Sequence, residues 1–265
     1  MEERGFIIGG NALNILVTGA KGFVGKRLVH GLKAKGYQAI MEYDKDSSPS
    51  MLEEYCTKSD FIFHLAAVNR PEDTAQYMIN NYGFTRELVR VLKECQNICP
   101  VMLSSSIQAY LDNPYGASKR AEEELLSLYG IDTGAKILIY RFQNIFGGGC
   151  RPNYNSVIAT FCHNIAAGLP IQVKDRNITL DLVYIDDVVE ELIYALSGKG
   201  NHNAGGYYEV QPVYHNISLG SIVDILYSFQ TKEKDMELQS VDELTKKLYL
   251  TYIKYLPSEQ YRQDS

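Results

Sequence analysis

Tyr115 and Lys119 are four residues apart, and a run of three serines that ends at Ser106 precedes them. A phenol has a pKa of about 10 and is a weak acid–base catalyst at neutral pH unless its phenolate is stabilised. A nearby ammonium group lowers that pKa, and positions i and i+4 of a helix are neighbours. The pattern predicts that Tyr115 exchanges a proton with a substrate oxygen, with Lys119 as its partner and Ser106 binding the same oxygen.

The Tyr–Lys spacing is weak support by itself. The chain contains 20 tyrosines, so about one such pair is expected by chance. A surface helix with a packed tyrosine and a solvated lysine would show the same pattern. The position gives the pair its weight, because it follows a serine-ended apolar run and lies downstream of a glycine-rich segment.

The glycine-rich segment has the spacing Gly19-x-x-Gly22-x-x-Gly25 and follows the apolar run 14–17. A strand, a glycine turn and a helix in this order are typical of dinucleotide-binding sites. The first glycine permits the tight turn, the second lets the backbone approach a pyrophosphate, and the third lets the helix lie close to the sheet. We therefore expect a dinucleotide site; the alternative is a glycine turn without a ligand.

The residues after the second predicted strand should decide between NAD and NADP. An acidic side chain there accepts a hydrogen bond from the ribose 2′-hydroxyl of NAD, whereas a basic one favours the 2′-phosphate of NADP. Asp44 and Lys45 are adjacent, so the sequence leaves both open. If Tyr43 occupies the strand end, Lys45 can reach the phosphate. On that basis we favour NADP(H) and keep NAD(H) as the alternative.

Apolar strand-like runs alternate with helical stretches through the first half of the chain. This alternation predicts a parallel sheet covered on both faces. We expect an α/β fold, a Rossmann-type doubly wound parallel sheet with a small C-terminal substrate-binding lobe. The predicted strands are 14–17, 37–43, 60–65, 101–103 and 135–140, and the predicted helices are 21–35, 74–96 and 115–129.

The second half of the chain is less regular. Helices are predicted over 157–167, over 186–196, where two acids favour a helix N-terminus, and from Ser218 as N-cap to residue 229. A short strand pair is predicted over 171–173 and 177–182.

The length and charge of the chain limit its possible architecture and binding partners. The 265 residues, 45% of them hydrophobic, suffice for one large α/β domain with an appended lobe. The formal charge of −6 argues against nucleic-acid binding, and no apolar run approaches the ~20 residues that a membrane span needs. Three parts are predicted. Residues 1–13 form an N-terminal extension, and residues 14–150 form a dinucleotide-binding core. Residues 151–265 form a substrate-binding lobe, interleaved with that core, and a tail.

The cysteines and the N-terminus favour a cytoplasmic protein. The five cysteines are odd in number and include no C-x-x-C pair, so we expect reduced thiols. The first ten residues lack the cationic and long apolar regions of a signal peptide. The histidines show no spacing typical of metal ligands, and we predict no metal site.

Several motifs occur together in an order typical of one enzyme family. They are Thr18-Gly19-x-x-Gly22-Phe23-x-Gly25, His64-Leu65-Ala66-Ala67, the serine triplet, Tyr115-x-x-x-Lys119 and Arg141-Phe142-Gln143-Asn144. Over most residues from 14 to about 225 the chain resembles the extended short-chain dehydrogenase/reductases that act on nucleotide sugars. The resemblance implies a catalytic set of Ser106, Tyr115 and Lys119. It also implies a cofactor site. This site includes the three glycines, Lys45, Tyr115 and Lys119, and in addition Phe23, Val24, His64, Ala66 and Ala67.

Further segments resemble the reductase domain of bifunctional capsular-polysaccharide epimerase/reductases. These segments are 68–72, 104–109, 112–116, 152–162, 175–177 and 255–258. Enzymes of this group make a UDP-linked N-acetylated 6-deoxy-L-talosamine precursor: an amino-terminal domain reduces a 4-keto sugar with NADPH, and a carboxyl-terminal cupin domain epimerises C3. For this chain the resemblance implies NADPH-dependent reduction of the C4 ketone of a UDP-4-keto-6-deoxy-N-acetylhexosamine in capsule precursor synthesis.

The same resemblance implies substrate contacts and partners. Asn144 would contact the nucleotide diphosphate, and the other substrate-binding candidates are Ser105, Asn153, Tyr154, Asn155 and Arg176. No cupin-like sequence follows the reductase-like part, so we expect no C3 epimerisation from it and consider a separate cupin-type epimerase as a partner. Fold analogy predicts a homodimer through helices 74–96 and 115–129.

Two other functions stay open. A nucleotide-sugar 4-epimerase that retains NAD uses the same three catalytic residues, and co-purified, non-exchanging NAD would indicate it. A non-catalytic dinucleotide sensor would bind cofactor without turnover, although the intact catalytic set argues against it. A 4,6-dehydratase is disfavoured because Ile107 and Gln108 stand where that class commonly carries Asp–Glu.

Overall fold

The computed structural model of the protein describes residues 13–198, 200, 206, 214–231 and 241–257. Residues 1–12 of the predicted extension lie outside them, as do residues 199, 201–205, 207–213, 232–240 and 258–265 of the predicted lobe and tail. The chain divides into two compact units. The first is formed by residues 1–142 and 189–211, and the second by residues 143–188 and 212–265.

A five-stranded parallel sheet forms the centre of the first unit, in the order β2-β1-β3-β4-β5. The strands are β1 Ile15–Thr18, β2 Ile40–Tyr43, β3 Phe61–His64, β4 Val101–Ser106 and β5 Ile137–Phe142. β1 and β3 are buried along their whole length, because helices flank the sheet. The register aligns Thr18 with Tyr43 and with His64, and Ser106 with Phe142. The strands therefore end along one edge of the sheet.

Helices connect these strands. They are α1 Phe23–Ala34, α2 Pro49–Lys58, α3 Ala75–Tyr77, α4 Gly83–Glu94 and α5 Pro114–Thr133. A π-type turn, Met78–Tyr82, joins α3 to α4, so the predicted helix over 74–96 is one helical segment with a widened turn. The sequence analysis did not predict α2, which begins at a proline, a residue favoured at the first helical position.

The start and end of α5 are fixed by its capping residues. The Asn113 side chain accepts a hydrogen bond from the backbone nitrogen of Gly116 at 2.7 Å, and Pro114 occupies the first helical position. At the other end Gly134 has a left-handed φ of 81°, the conformation in which glycine commonly ends helices. These caps set the helical register that places Tyr115 in the first turn.

The second unit contains a three-stranded sheet and its own helices. The strands are β6 Asn144–Phe146, β7 Thr179–Tyr184 and β8 Tyr214–Ser218, and the helices are α6 Val157–Ala166, α8 Leu219–Thr231 and α9 Glu243–Tyr252. A further helix, α7 Ile185–Ala195, is divided between the two units. The predicted cap of α8 is confirmed, because the Ser218 hydroxyl oxygen accepts from the backbone nitrogen of Ser221 at 3.1 Å.

The strand predicted over 171–173 is wrong. That segment is irregular, although it has a strand-like alternation of half-buried and exposed residues. Its predicted partner does form a strand, β7, but β7 pairs with β6 in parallel and with β8 in antiparallel orientation. β6 and β8 therefore occupy both edges of β7 at Leu182 and Val183, and residues 171–173 pair with neither edge.

The architecture agrees with the predicted α/β class and Rossmann-type parallel sheet. Most predicted helices and strands are observed with boundaries shifted by one to four residues, the usual scale of such differences. Among the described residues no helix has the length and apolar character required to cross a bilayer.

Candidate active site

The turn between β1 and α1 needs glycine at two positions. Gly19 has a φ of 70°, and a Cβ there would lie 2.7 Å from the backbone nitrogen of Ala66. A Cβ on Gly25 would lie 2.2 Å from the carbonyl oxygen of Gly19. α1 begins at Phe23 without a side-chain cap and without an acidic residue in its first turn, so its first N–H groups are available to an anion. The turn and the uncapped helix fit a dinucleotide pyrophosphate.

Asp44, directly after β2, holds this glycine turn. Its carboxylate accepts hydrogen bonds from the backbone nitrogens of Lys21 and Lys45, each at 2.8 Å. The Lys21 side chain pairs with Asp46. The Lys45 side chain is exposed and forms no hydrogen bond or ion pair with the residues that the structure describes, although its charge helps to lower the pKa of Asp46. The acid at the strand end therefore has a structural partner, and the cation beside it is available to a ligand.

Tyr115 lies in the first turn of α5 and meets the end of β4. The side chain of Ser106, the last residue of β4, is near enough to the phenol to lower its pKa slightly. The ring of Tyr77 packs with its centroid 5.4 Å from the centroid of the Tyr115 ring. Burial raises the pKa of Tyr115 above its ordinary value; Lys119 opposes this rise and Glu122 adds to it.

Lys119 lies one turn further along α5 and is 1% exposed. Its Nζ donates to the carbonyl oxygen of Ser104 at 3.0 Å and pairs with Glu122 Oε2 at 2.9 Å. The same Nζ is 5.9 Å from the centroid of the Tyr115 ring. Burial acts to lower the pKa of Lys119, but Glu122 and Tyr115 outweigh it, and the pKa is raised above its ordinary value. The side chain is therefore an ammonium group at neutral pH.

A buried hydrogen-bond chain continues from Glu122 to β1. Thr85 Oγ1 lies 2.9 Å from Glu122 Oε1 and 2.9 Å from His64 Nε2, and His64 Nδ1 lies 2.8 Å from Thr18 Oγ1. Burial, and secondarily the charge of Lys119, lower the pKa of His64 to about 3. The imidazole is neutral and both of its nitrogens are used within this chain, so a contact of His64 with cofactor stays a prediction.

Ser105 belongs to a separate polar cluster. Its hydroxyl donates to Glu123, whose carboxylate also receives hydrogen bonds from Arg141 at 2.8 and 2.5 Å. The Arg141 guanidinium carbon lies 4.3 Å from the centroid of the Tyr110 ring. Ser105 is buried and its hydroxyl is engaged, so its predicted contact with substrate also stays a prediction.

The chain was compared with known proteins. Residues 15–210 match a family model described as the NAD dependent epimerase/dehydratase family, and the match covers well over half of the chain. The chain belongs to this family. The matched residues include the glycine turn and the set of Ser106, Tyr115 and Lys119, and the predicted extended short-chain dehydrogenase/reductase membership is confirmed.

Two proteins are similar over nearly the whole chain. UDP-2-acetamido-2,6-beta-L-arabino-hexul-4-ose reductase from Pseudomonas aeruginosa is 41% identical over 253 residues, which are 95% of this chain and 67% of that protein. The crystal structure of capsular polysaccharide assembling protein CapF from Staphylococcus aureus has a TM-score of 0.84 at 42% identity, covering 94% of this chain and 67% of that one. This chain thus spans about two thirds of the length of each.

A more distant solved structure shares the fold. UDP-glucose 4-epimerase from Thermus thermophilus, solved in complex with NAD, has a TM-score of 0.72 at 21% identity and covers 91% of this chain and 98% of that one. Its likeness shows that the Rossmann-type architecture is common to both. A nicotinamide dinucleotide is the cofactor of the family to which the chain belongs.

Three predicted substrate residues of this family member are consecutive and exposed in the second unit, in the loop before α6. Asn153 has a left-handed φ of 55°, and its backbone nitrogen donates to Thr160 Oγ1 at 3.0 Å. The ring of Tyr154 lies 5.5 Å from the guanidinium carbon of Arg151. Asn155 follows in the same exposed stretch.

The two remaining substrate candidates in the second unit bind neighbouring groups. Asn144 is exposed, and its Nδ2 donates to the carbonyl oxygen of Asp181 at 3.1 Å. An Nη of Arg176 lies 2.7 Å from each carboxylate oxygen of Asp224. An arginine in such an ion pair would exchange partners to contact a diphosphate. Substrate contacts of both residues stay predictions.

Glu122 is absent from the predicted site residues, although its spacing gives a signal for it. Positions 115, 119 and 122 are related by i, i+4 and i+7, so they share one face of α5. A glutamate on a helix is usually exposed, as Glu124 is, so the shared face alone does not show that Glu122 is buried. The partners that bury it, Thr85 and Lys119, come together only in the folded unit.

Proposed function

We propose that the chain is a nucleotide-sugar oxidoreductase that reduces the C4 ketone of a UDP-4-keto-6-deoxy-N-acetylhexosamine with NADPH, in the synthesis of a capsular or surface polysaccharide precursor. The observation that carries the proposal is the Tyr115 phenol, which adjoins Ser106 at the end of β4 and has the Lys119 ammonium 5.9 Å from its ring centroid. Two relatives at about 40% identity, a ketone-sugar reductase and a capsular polysaccharide assembling protein, support the substrate class.

The chemistry follows from these side chains. When bound, the reduced nicotinamide supplies a hydride to the carbonyl carbon. Tyr115 donates its phenolic proton to the carbonyl oxygen as negative charge develops there. Ser106 donates a hydrogen bond to the same oxygen and orients it against the phenol. Lys119 holds its charge beside the phenolate that remains, so that Tyr115 can recover a proton from solvent.

The first unit supplies the residues for the cofactor. Gly19, Gly22 and Gly25, with the first turn of α1 at Phe23 and Val24, would hold the pyrophosphate. The exposed Lys45 would pair with the 2′-phosphate of NADP. Residues Ala66 and Ala67 follow β3 at the edge where the strands end, so we assign them, with His64, to the wall of the cofactor site.

The remaining assignments concern substrate, partners and location. Asn144 would contact the diphosphate, and the other substrate residues would be Ser105, Asn153, Tyr154, Asn155 and Arg176. We propose a cytoplasmic homodimer, acting together with a cupin-type epimerase where C3 inversion is needed.

The test is a reduction assay. The protein is mixed with NADPH or NADH and a UDP-4-keto-6-deoxy-N-acetylhexosamine, and the loss of reduced-nicotinamide absorbance is followed. Tyr115→Phe should lower kcat on the order of 10²–10⁴-fold, the usual contribution of a general acid. Tyr194→Phe, at an exposed tyrosine on α7, is the matched control and should keep full activity.

Two outcomes would overturn this function. Full activity in Tyr115→Phe would remove the proposed proton donor. Tightly bound NAD that does not exchange, together with interconversion of C4 epimers and no net oxidation of NADPH, would establish the epimerase alternative, which uses the same three residues.

A further inference from the structure

Glu122 places a carboxylate against the lysine of the active site. It lies one turn after Lys119 on α5 and is 0% exposed. Lys119 Nζ forms an ion pair with its Oε2 at 2.9 Å, and Oε2 has no hydrogen-bond partner among the residues that the structure describes. Removing two such charges from water is costly, so the pair needs further partners that fix it.

The hydrogen-bond chain behind Glu122 supplies these partners, and its direction can be derived. A carboxylate and a backbone carbonyl only accept, so the single hydroxyl proton of Thr85 goes to Glu122 Oε1 or to the carbonyl oxygen of Asn81. Thr85 Oγ1 can then only accept from His64, so the proton of the neutral imidazole is on Nε2. His64 Nδ1 accordingly accepts from the Thr18 hydroxyl. The direction of the chain is thereby determined from β1 to Thr85, and it extends to the carboxylate when Thr85 donates to Glu122.

The charges around the phenol can be counted within the first unit. Tyr115 is influenced by Lys119, Glu122 and the neutral Tyr77, and Lys119 additionally by Glu123. Glu123 is itself paired with Arg141, and His64 carries no charge. Lys119 is therefore offset by Glu122, and the surroundings of Tyr115 have no net positive charge from these groups.

We propose that Glu122 is a positioning residue that offsets the charge of Lys119 and so keeps Tyr115 protonated, ready to donate, at neutral pH. This inference deepens the proposed function and rests on it for its consequence in catalysis. A lone ammonium beside a tyrosine favours the phenolate, which is the base for alcohol oxidation. An ammonium offset by a buried carboxylate leaves the phenol as the acid that ketone reduction requires.

The experiment measures the protonation of Tyr115 directly, without cofactor or turnover. Protein labelled with ¹³C at the tyrosine ζ carbon is titrated by NMR, and Tyr115→Phe identifies the resonance. Glu122→Gln should lower the apparent pKa of Tyr115 on the order of one pH unit, because a like charge near the phenolate is removed. Glu122→Asp keeps the carboxylate and should stay close to the parent protein. Glu124→Gln, an exposed neighbour on the same helix, should not shift the titration.

An unchanged or higher pKa of Tyr115 in Glu122→Gln would overturn the inference, as would an equal shift in Glu122→Asp. The pH profile of ketone reduction is the second readout. Reduction needs the protonated phenol, so in Glu122→Gln the rate should begin to fall at a lower pH than in the parent protein, by the same shift as the NMR titration.

The two readouts separate the inference from the proposed function. A shifted Tyr115 titration in a protein that reduces no keto sugar would leave the inference standing and remove the function. Reduction of the keto sugar with an unshifted Tyr115 titration would support the function and overturn the inference.

Discussion

Each of the two units contains a buried lysine with similar neighbours. In the first, Lys119 lies 2.9 Å from a Glu122 carboxylate oxygen and 5.9 Å from the centroid of the Tyr115 ring. In the second, Lys247 lies 2.8 Å from an Asp187 carboxylate oxygen and 5.7 Å from the centroid of the Tyr184 ring. Residue types and distances alone would not tell the two apart.

The surroundings of the two lysines differ. The carboxylate side chain beside Lys119 is 0% exposed, whereas Asp187 is 24% exposed and a second acid near Lys247, Glu243, is 60% exposed. Tyr184 is the buried last residue of β7, while Tyr115 is a partly exposed residue of α5 that adjoins Ser106. Solvent screens the second cluster and lets its charges adjust. A buried, hydrogen-bonded carboxylate and a phenol beside a serine distinguish the proposed catalytic lysine, Lys119, from Lys247.

The largest contrast is expected on removing each lysine. Lys119→Met leaves the Glu122 carboxylate buried and unpaired, which should cost about 3–5 kcal/mol of unfolding free energy. It should also abolish ketone reduction. Lys247→Met leaves acids that water can reach, so it should cost about 1 kcal/mol or less and keep most of the activity. Urea unfolding and the reduction assay measure the two effects.

A double variant serves as the control for this contrast. Lys119→Met combined with Glu122→Leu removes both charges and should recover most of the lost stability without recovering activity. Equal losses of stability in Lys119→Met and Lys247→Met would show that the two lysines are equivalent and that the comparison is wrong.

The sequence was sufficient to predict the parts of the fold and of the candidate site that depend on local patterns. Apolar runs and the glycine spacing predicted the parallel sheet and the turn at Gly19, and the Tyr115–Lys119 spacing predicted the helix that bears them. The hydrogen-bond chain behind Glu122 could not be predicted, because Thr85 is 37 residues from Glu122 and His64 is 21 residues from Thr85. The error at 171–173 has the same origin, since strand pairing depends on which edges other strands have already taken.

The pH dependence of stability should also differ between the two units, because each contains a histidine whose pKa is lowered. The pKa of His64 in the folded chain is about 3, lowered by burial and by Lys119, against about 6.5 when unfolded. The unfolded chain therefore binds a proton below pH ~6.5 that the folded chain does not, and stability falls by about 1.4 kcal/mol per pH unit between these values. The pKa of His215, in the second unit, is also lowered by burial and by Lys247, but the ring is only half-buried.

Urea unfolding of His64→Gln and His215→Gln between pH 7 and 5 measures the contribution of each histidine to the pH dependence of the unfolding free energy. His64→Gln should remove most of the slope that the parent protein shows below pH ~6.5, and His215→Gln should remove less. If the stability of His64→Gln and of the parent protein decline in parallel, the imidazole of His64 is charged in the folded chain and the direction derived for the hydrogen-bond chain is wrong.

The smallest expected effect compares two exposed cations, one in each unit. Lys45 pairs with no described residue, whereas Arg176 contacts both oxygens of Asp224, and an unpaired cation can bind a phosphate without giving up another partner. Lys45→Ala should therefore weaken NADPH binding about tenfold, the loss of one charge-assisted hydrogen bond, and leave NADH binding nearly unchanged. Arg176→Ala should alter neither, and Lys45→Arg should keep the preference. Fluorescence titration of each reduced cofactor measures the dissociation constants. If Lys45→Ala weakens NADPH and NADH binding equally, Lys45 does not contact the 2′-phosphate, and Asp44 becomes the residue that selects NAD.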